Sequence, residues 1–237
     1  MGINTNYRTQ ETEIMDDFLL EGEELRDALN KIAAINQLLG GNNLTLSGVK
    51  QLLTNHVKAT TITIADIGCG NGDMLRMLAD YGRTQHLQLN LIGIDANAFT
   101  ISHAKQLTGE YDNITYKCMD IFSSQFSELR YDIVLCTLTL HHFTDNDIED
   151  IIATFKKNAA IGIVINDLHR SKLAYRLFAV ICRIFSLNSM SRKDGLVSIL
   201  RGFKKEELEA YSKKLNLKNY SIKWKWAFRY QWIIYNL

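Results

Sequence analysis

The chain has 237 residues, 46% of them apolar and 22% charged, the balance of an ordinary globular protein with enough mass for a large domain and its own core. Its 27 lysines and arginines against 26 acidic residues leave a net charge of +1, so the basic footprint of a general nucleic-acid binder is missing. Cys69, Cys118, Cys136 and Cys182 fall in no metal or disulfide spacing and point to buried thiols in a reducing cytoplasm; neither a signal peptide nor a membrane-spanning run is expected.

In chain order, Ile14, Phe18, Leu19, Leu25, Leu29, Ile32, Ile35 and Leu39 recur at helical spacing, predicting one helix over 12–39 that Gly40 and Gly41 stop. A second helix is expected over about 45–57, with Thr45 or Ser47 as its N-cap. A β-branched run at 61–67 then ends in glycines, and a helical pattern with Met74, Leu75 and Leu78 follows. Strands are predicted at 87–94, 115–118, 131–137 and 161–165, most of them separated by helical stretches such as 99–109. This alternation specifies an α/β fold with a mainly parallel sheet covered on both faces. An apolar helical stretch over 171–200 interrupts it. A helix at 204–215 and a hairpin of 221–226 with 229–235 follow, and the hairpin would put one antiparallel strand into the sheet. The expected organisation is a helical cap over 1–58 and a main domain over 59–237, with 170–203 inserted above the site. Proline is absent, so glycine, Asn and Asp carry the punctuation.

The strongest local signal is Asp66-Ile67-Gly68-Cys69-Gly70-Asn71-Gly72, a strand running into a glycine turn and then a helix. Such turns let a ligand approach the backbone at the carboxyl ends of the strands. A nicotinamide dinucleotide site is the obvious competitor, but its G-x-G-x-x-G spacing is replaced here by G-x-G-x-G. Asp66 would repel a pyrophosphate and suits a cation such as an ammonium group. Asp95, at the end of the next strand, can accept hydrogen bonds from both hydroxyls of a ribose.

Over about 60–170 these features, with Ile92-Gly93-Ile94-Asp95, Met119-Asp120-Ile121 and Tyr131-Asp132-Ile133-Val134 leading to Leu140-His141-His142-Phe143, resemble class I S-adenosylmethionine-dependent methyltransferases. The resemblance implies a Rossmann-like seven-stranded sheet whose last strand is antiparallel, with S-adenosylmethionine as cofactor. It implies that Asp66, Gly68, Cys69, Gly70 and Gly72 surround the methionine part, with Thr137 and Leu138 bordering it. Asp95 and Ala96 would meet the ribose, Asp120 the adenine amine, and Ile121 the ring. Within the family the chain is similar to bacterial small-molecule enzymes of the quinone-biosynthesis and polyketide-tailoring kind. Met15-Asp16-Asp17, Ser191-Arg192-Lys193-Asp194-Gly195 and Arg201-Gly202-Phe203 carry that part of the likeness.

A phenol or enol acceptor must lose its proton, and imidazole is the natural base near neutral pH. His141 and His142 after the fourth strand and His169 after the fifth are the catalytic candidates. Asp167 either orients a histidine or caps the next helix, the cap being the simpler reading. Asp145, Asp147, Glu149 and Asp150 complement a helix N-terminus, and no metal site is expected. His86 and His103 fall in segments read as surface, and these two and His56 receive no role. The 173–187 stretch is read as a roof over an apolar substrate, with a homodimer face or a membrane-surface helix as alternatives. Trp224, Trp226 and Trp232 are read as packing on the sheet. The expected activity is O-methylation of a small apolar aromatic, quinol or polyketide-type acceptor. A nicotinamide oxidoreductase, a non-catalytic cofactor-binding module, and C- or N-methylation stay open as alternatives.

Overall fold

The structure, a computed structural model, describes residues 3–54 and 61–236. Two helices, α1 (Glu23–Leu38) and α2 (Gly41–Leu53), precede the alternating units: β1 (Ile62–Ile67), α3 (Asp73–Thr84), β2 (Leu89–Asp95), α4 (Ala98–Leu107), β3 (Ile114–Cys118), α5 (Ser124–Glu128), β4 (Tyr131–Thr137), α6 (Asp145–Asn158) and β5 (Ala159–Leu168). Then come α7 (Lys172–Ile184), α8 (Ser189–Arg201), α9 (Lys205–Lys214), β6 (Tyr220–Lys225) and β7 (Arg229–Tyr235). The strands form one sheet in the order β3-β2-β1-β4-β5-β7-β6. β1 to β5 are parallel, and β7 runs antiparallel between β5 and β6. This is the Rossmann-like order, with its switch point where β1 meets β2 on one side and β4 on the other.

Alternate side chains along the strands build two cores, as a period of two demands. Ile133, Leu135 and Val164 face α2 and α3, whereas Val134, Cys136 and Ile163 face α6 and α9. α2 sits against β5 so closely that a Cβ on Gly48 would lie 2.5 Å from Val164 Cγ1; Val49, Leu52 and Leu53 are buried there.

The N-terminal segment departs most from its sequence pattern. The single helix expected over 12–39 breaks into a 3-10 turn at Ile14–Asp16 and the separate α1. Glu13 and Asp16 cap each other, and the N–H groups of Ile14 and Met15 donate to Asp194 of α8 at 2.9 Å each. These long-range bonds outweigh the local period, and they leave Phe18 54% and Leu19 88% exposed. α2 starts at Gly41 behind a left-handed Gly40, not at Thr45. Thr45 instead hydrogen-bonds the Thr137 hydroxyl at 3.0 Å. The far end of the second predicted helix, and His56, lie outside the described residues. The 171–200 stretch forms two helices, α7 and α8, with Ser186 at φ 47° in the link between them.

Two further readings are corrected by packing. His103 is buried, with its Nε2 2.9 Å from Asn30 Oδ1, whereas His86 is exposed as expected. Trp232 lies inside the sheet core, but Trp224 and Trp226, at the hairpin end, are 49% and 65% exposed. Residues 5–8 are tied down by two arginines. The wholly buried Arg170 donates to the Thr5 and Asn6 carbonyls and to Glu207, and Arg8 reaches the His141 and Phe143 carbonyls and Asp145. Residues 5–16 thus lie as a strap across the carboxyl end of the sheet.

Gly72 closes a turn on the Cys69 carbonyl and caps α3 at φ 76°, where a Cβ would sit 2.1 Å from Tyr116 Oη. A left-handed alanine costs about 1–2 kcal/mol. Gly72→Ala is therefore expected to lower the melting temperature by roughly 4 °C, as scanning calorimetry would check; an unchanged midpoint would remove this role for the turn.

Candidate active site

β1 delivers Asp66 to the switch point, and the chain then turns through Gly68 and Gly70, both at positive φ. The turn is pinned to β2: Gly68 N–H donates to the Ile94 carbonyl at 2.8 Å, and Gly70 N–H reaches Asp95 Oδ2 at 3.3 Å. Asp95 Oδ1 accepts from Asn97 N–H at 3.0 Å, so one carboxylate holds both the glycine turn and the start of α4. Asp66 is buried, and its Oδ1 has no hydrogen-bond partner. Burial, and then the negative charges of Asp73 and Asp95, push its carboxyl well above the usual carboxylate range. Burial also pushes the neighbouring Cys69 thiol up, and Asp95 and Asp66 add to the effect.

A cavity of about 1280 Å³ opens along this edge of the sheet. Asp66, Gly68, Cys69, Gly70, Asp95, Ala96, Asp120, Ile121, Thr137 and Leu138 all border it, as do His141, His142 and His169. Gly72 is the exception among the residues singled out in the sequence: it faces Tyr116. Leu138 takes a left-handed φ of 53° at the end of β4, an uncommon state for leucine that places backbone strain at the cavity wall. Asp120 is exposed and accepts from Phe122 N–H at 2.9 Å. Across the cavity, α7 contributes Phe178 and Ile181 to the wall while Leu173, Val180 and Ile184 face solvent.

The three histidines differ in their partners. His141 is buried; its Nδ1 lies 2.7 Å from Asp167 Oδ1, and its backbone N–H donates to Asp167 Oδ2 at 3.1 Å. Asp167 therefore orients a histidine, which corrects the helix-cap reading, and Ser171 caps α7 instead. Burial alone would raise the Asp167 carboxyl, but the charge and hydrogen bond of His141 outweigh it and hold the group below its usual range. His142 has a side chain 26% exposed, and its Nδ1 is 2.6 Å from Asp16 Oδ1. The two imidazoles lie 4.3 Å apart, centroid to centroid. His169 Nδ1 accepts from Trp224 Nε1–H at 3.1 Å. Because an indole only donates, that nitrogen must carry a lone pair. Burial, with Lys204 and Arg170 nearby, lowers the His169 pKa in the same sense.

Glu13 and Asp16 of the strap complete the histidine pair and were not among the candidates. Glu13 Oε1 lies 3.6 Å from His141 Nε2 and 3.8 Å from His142 Nδ1. Arg201 of α8 meets Asp16 at 2.6 Å and donates to the carbonyls of His141 and His142. At Asp16, burial would raise the carboxyl, but the bonds from His142 and Arg201 prevail and lower it. No spacing signal connects residues some 125 positions apart.

Burial raises Glu13 to about 7, against the opposing effects of His142 and Ser198. A released strap would return it to the ordinary 4.5. The closed strap therefore binds more protons than the open one between these values. Its closure is favoured in acid and weakens as pH rises through that window. Hydrogen exchange at residues 13–20, corrected for intrinsic rate, is expected to be faster at pH 8 than at pH 5 in the native protein, and Glu13→Gln is expected to remove most of the difference. Equal pH dependence in both proteins would contradict this assignment.

Comparison with known proteins fits this geometry. Residues 64–162 match a family model described as a methyltransferase domain. Over 77 residues the chain is 34% identical to 235L of Invertebrate iridescent virus 6, named as a candidate methyltransferase. That match covers 32% of this chain and spans about a quarter (26%) of the curated relative. Among solved structures, the plantazolicin methyltransferase BpumL, in complex with a triazolic desmethylPZN analog and SAH, superposes with a TM-score of 0.66 at 18% identity, covering 88% of this chain and 90% of that one. The magnesium protoporphyrin IX methyltransferase ChlM of Synechocystis PCC 6803, with bound SAM, gives 0.54 at 16% identity over 93% and 87% of the two chains.

The fold is that of the class I, S-adenosylmethionine-dependent methyltransferases. Residues 64–162 are a methyltransferase domain, and the described helices include none long and apolar enough to cross a membrane.

Proposed function

We propose that the chain transfers a methyl group from S-adenosylmethionine to an oxygen of a small apolar acceptor of aromatic, quinol or polyketide type. The observation that carries this reading is the single cavity that joins the glycine turn and Asp95 to the histidine pair under α7. In this reading the turn of Gly68, Cys69 and Gly70 surrounds the methionine part, and Thr137 and Leu138 border it. Asp95 and Ala96 meet the ribose, while Asp120 and Ile121 meet the adenine. Three features fit a cationic nucleoside. Asp66 keeps an unpartnered buried oxygen, Asp73 and Asp95 add negative charge around it, and a Cβ on Gly70 would find only Leu29 at 3.9 Å.

When bound, this cofactor supplies an activated methyl group on a sulfonium. The protein's part is to align the acceptor, exclude water and take its proton. Phe178 and Ile181 of α7 present an apolar wall, and the strap covers the opposite rim. Asp16 engages His142 Nδ1, which leaves Nε2 as the basic nitrogen for the acceptor hydroxyl. His141, enclosed by Asp167 and Glu13, serves to position its neighbour and the strap. His169 shares its Nδ1 with Trp224 and lines the acceptor side.

Titration calorimetry tests the reading. S-adenosylhomocysteine is expected to bind one to one and a nicotinamide dinucleotide not at all. Dinucleotide binding without S-adenosylhomocysteine binding would overturn it in favour of an oxidoreductase.

A further inference from the structure

α7 has two apolar faces, and among the described residues one of them is left open. Ala174, Phe178 and Ile181 border the cavity. Leu173, Leu177, Val180 and Ile184 recur on the outer side, where they are 55%, 41%, 51% and 70% exposed. Steps of four, three and four residues align them in one stripe along this 13-residue helix, roughly 20 Å long. Lys172, Arg176 and Arg183 are exposed beside it, and spacings of four and seven residues put all three along one edge of the stripe.

Charge in this region is one-sided, although the whole chain is balanced at +1. From Ser171 to Leu200 the exposed charged residues are Lys172, Arg176, Arg183, Arg192 and Lys193, and the one acid, Asp194, is buried against the N–H groups of Ile14 and Met15. Glu24 and Asp27 of α1 meet Ser189 and Asn188, past the end of α7, where Asp27 also pairs with Lys31 at 3.0 Å. A second copy of the same face would therefore bring no acid to the cations of α7. The stripe stands out as a ridge, not a groove, and lysine and arginine stems can lie along apolar surface while their charges stay in water. These are the properties of a helix that lies in the surface of an anionic bilayer.

We propose that the outer face of α7 docks on an anionic lipid bilayer, with Leu173, Leu177, Val180 and Ile184 among the acyl chains and Lys172, Arg176 and Arg183 at the headgroups. Leu177 belongs to the stripe and also borders the cavity, so the distance from bilayer to cavity wall is one side chain. An apolar acceptor dissolved in the lipid is thereby delivered to the cavity. That use of the surface deepens the methyl-transfer reading and rests on it; the docking itself does not.

Flotation of the protein with lipid vesicles, no nucleoside present, tests the docking. Native protein is expected to bind vesicles of phosphatidylcholine with phosphatidylglycerol at least tenfold more tightly than vesicles of phosphatidylcholine alone, and to lose most of that preference in high salt. Val180→Asp combined with Ile184→Asp is expected to weaken binding to the mixed vesicles at least tenfold. Arg176→Gln combined with Arg183→Gln is expected to remove most of the preference for the anionic lipid. All four side chains are exposed, so both variants should melt as the native protein does. No binding, equal binding to the two vesicles, or native binding by the two aspartate substitutions would overturn the docking. So would native protein that self-associates without lipid, dissociates on those substitutions and leaves the vesicles unbound, which assigns the stripe to a second copy. Calorimetry with S-adenosylhomocysteine reads the other site separately. Nucleoside binding without vesicle binding removes the docking alone, and vesicle binding without nucleoside binding removes the enzymatic reading alone.

Discussion

Asp95→Ala is expected to weaken S-adenosylhomocysteine binding at least a hundredfold. The Asp95 carboxylate ends β2 on the cavity, and it accepts backbone N–H groups from Gly70 and Asn97. It therefore shapes the glycine turn, and in the proposed reading it offers its remaining lone pairs to the ribose. Hydrogen bonds to a charged group contribute about 1.5–3 kcal/mol each. Two lost ribose contacts thus remove roughly 3 kcal/mol, which is about a hundredfold. Asp95→Asn separates the two duties, because the amide keeps the volume but must turn an N–H toward one of the backbone donors. Calorimetry with a parallel thermal melt checks the loss. A variant that melts normally and binds as the native protein does would remove Asp95 from the site.

The second large effect falls on His142. With an acceptor in hand, His142→Ala is expected to lower kcat by about 10²–10⁴-fold while KM changes little. Asp16→Asn should follow in the same direction with a smaller loss, since it leaves the imidazole but not its orientation. The adjacent His141 should behave differently. It is buried between Asp167 and Glu13, so His141→Gln is expected to lower the melting temperature more than the rate, by leaving the Asp167 carboxylate buried without its partner. Single-turnover rates and melts on the three variants distinguish these roles. A native rate in His142→Ala would transfer the proton-accepting role elsewhere, or point to an acceptor atom that needs no base.

The parts of this architecture written in local pattern were the parts legible from sequence. β-branched runs such as 62–67 and 131–137 become central strands because both faces are covered, and the glycine turn after β1 is where it was expected. The alternation of strands and helices carried the sheet order only through the family resemblance, since no periodicity specifies which strand lies beside β1. The contacts that complete the histidine pair were not legible. Ile14 fits a helical period, yet Asp194, some 180 residues on, holds the N–H groups of Ile14 and Met15 and ends the helix there. That bend brings Glu13 and Asp16 to the rim. Asp167 reads locally as a cap, and it acquires its significance from His141, a partner that only the packed chain supplies.

The most direct test of the central claim is to incubate the purified protein with S-adenosylmethionine carrying an isotopically labelled methyl group and a cell extract, and to follow small molecules by mass spectrometry. A small apolar product bearing the label is expected, formed by the native protein and absent with Asp95→Ala. A protein that binds the nucleoside yet labels nothing in any extract would contradict methyl transfer and leave a binding module in its place.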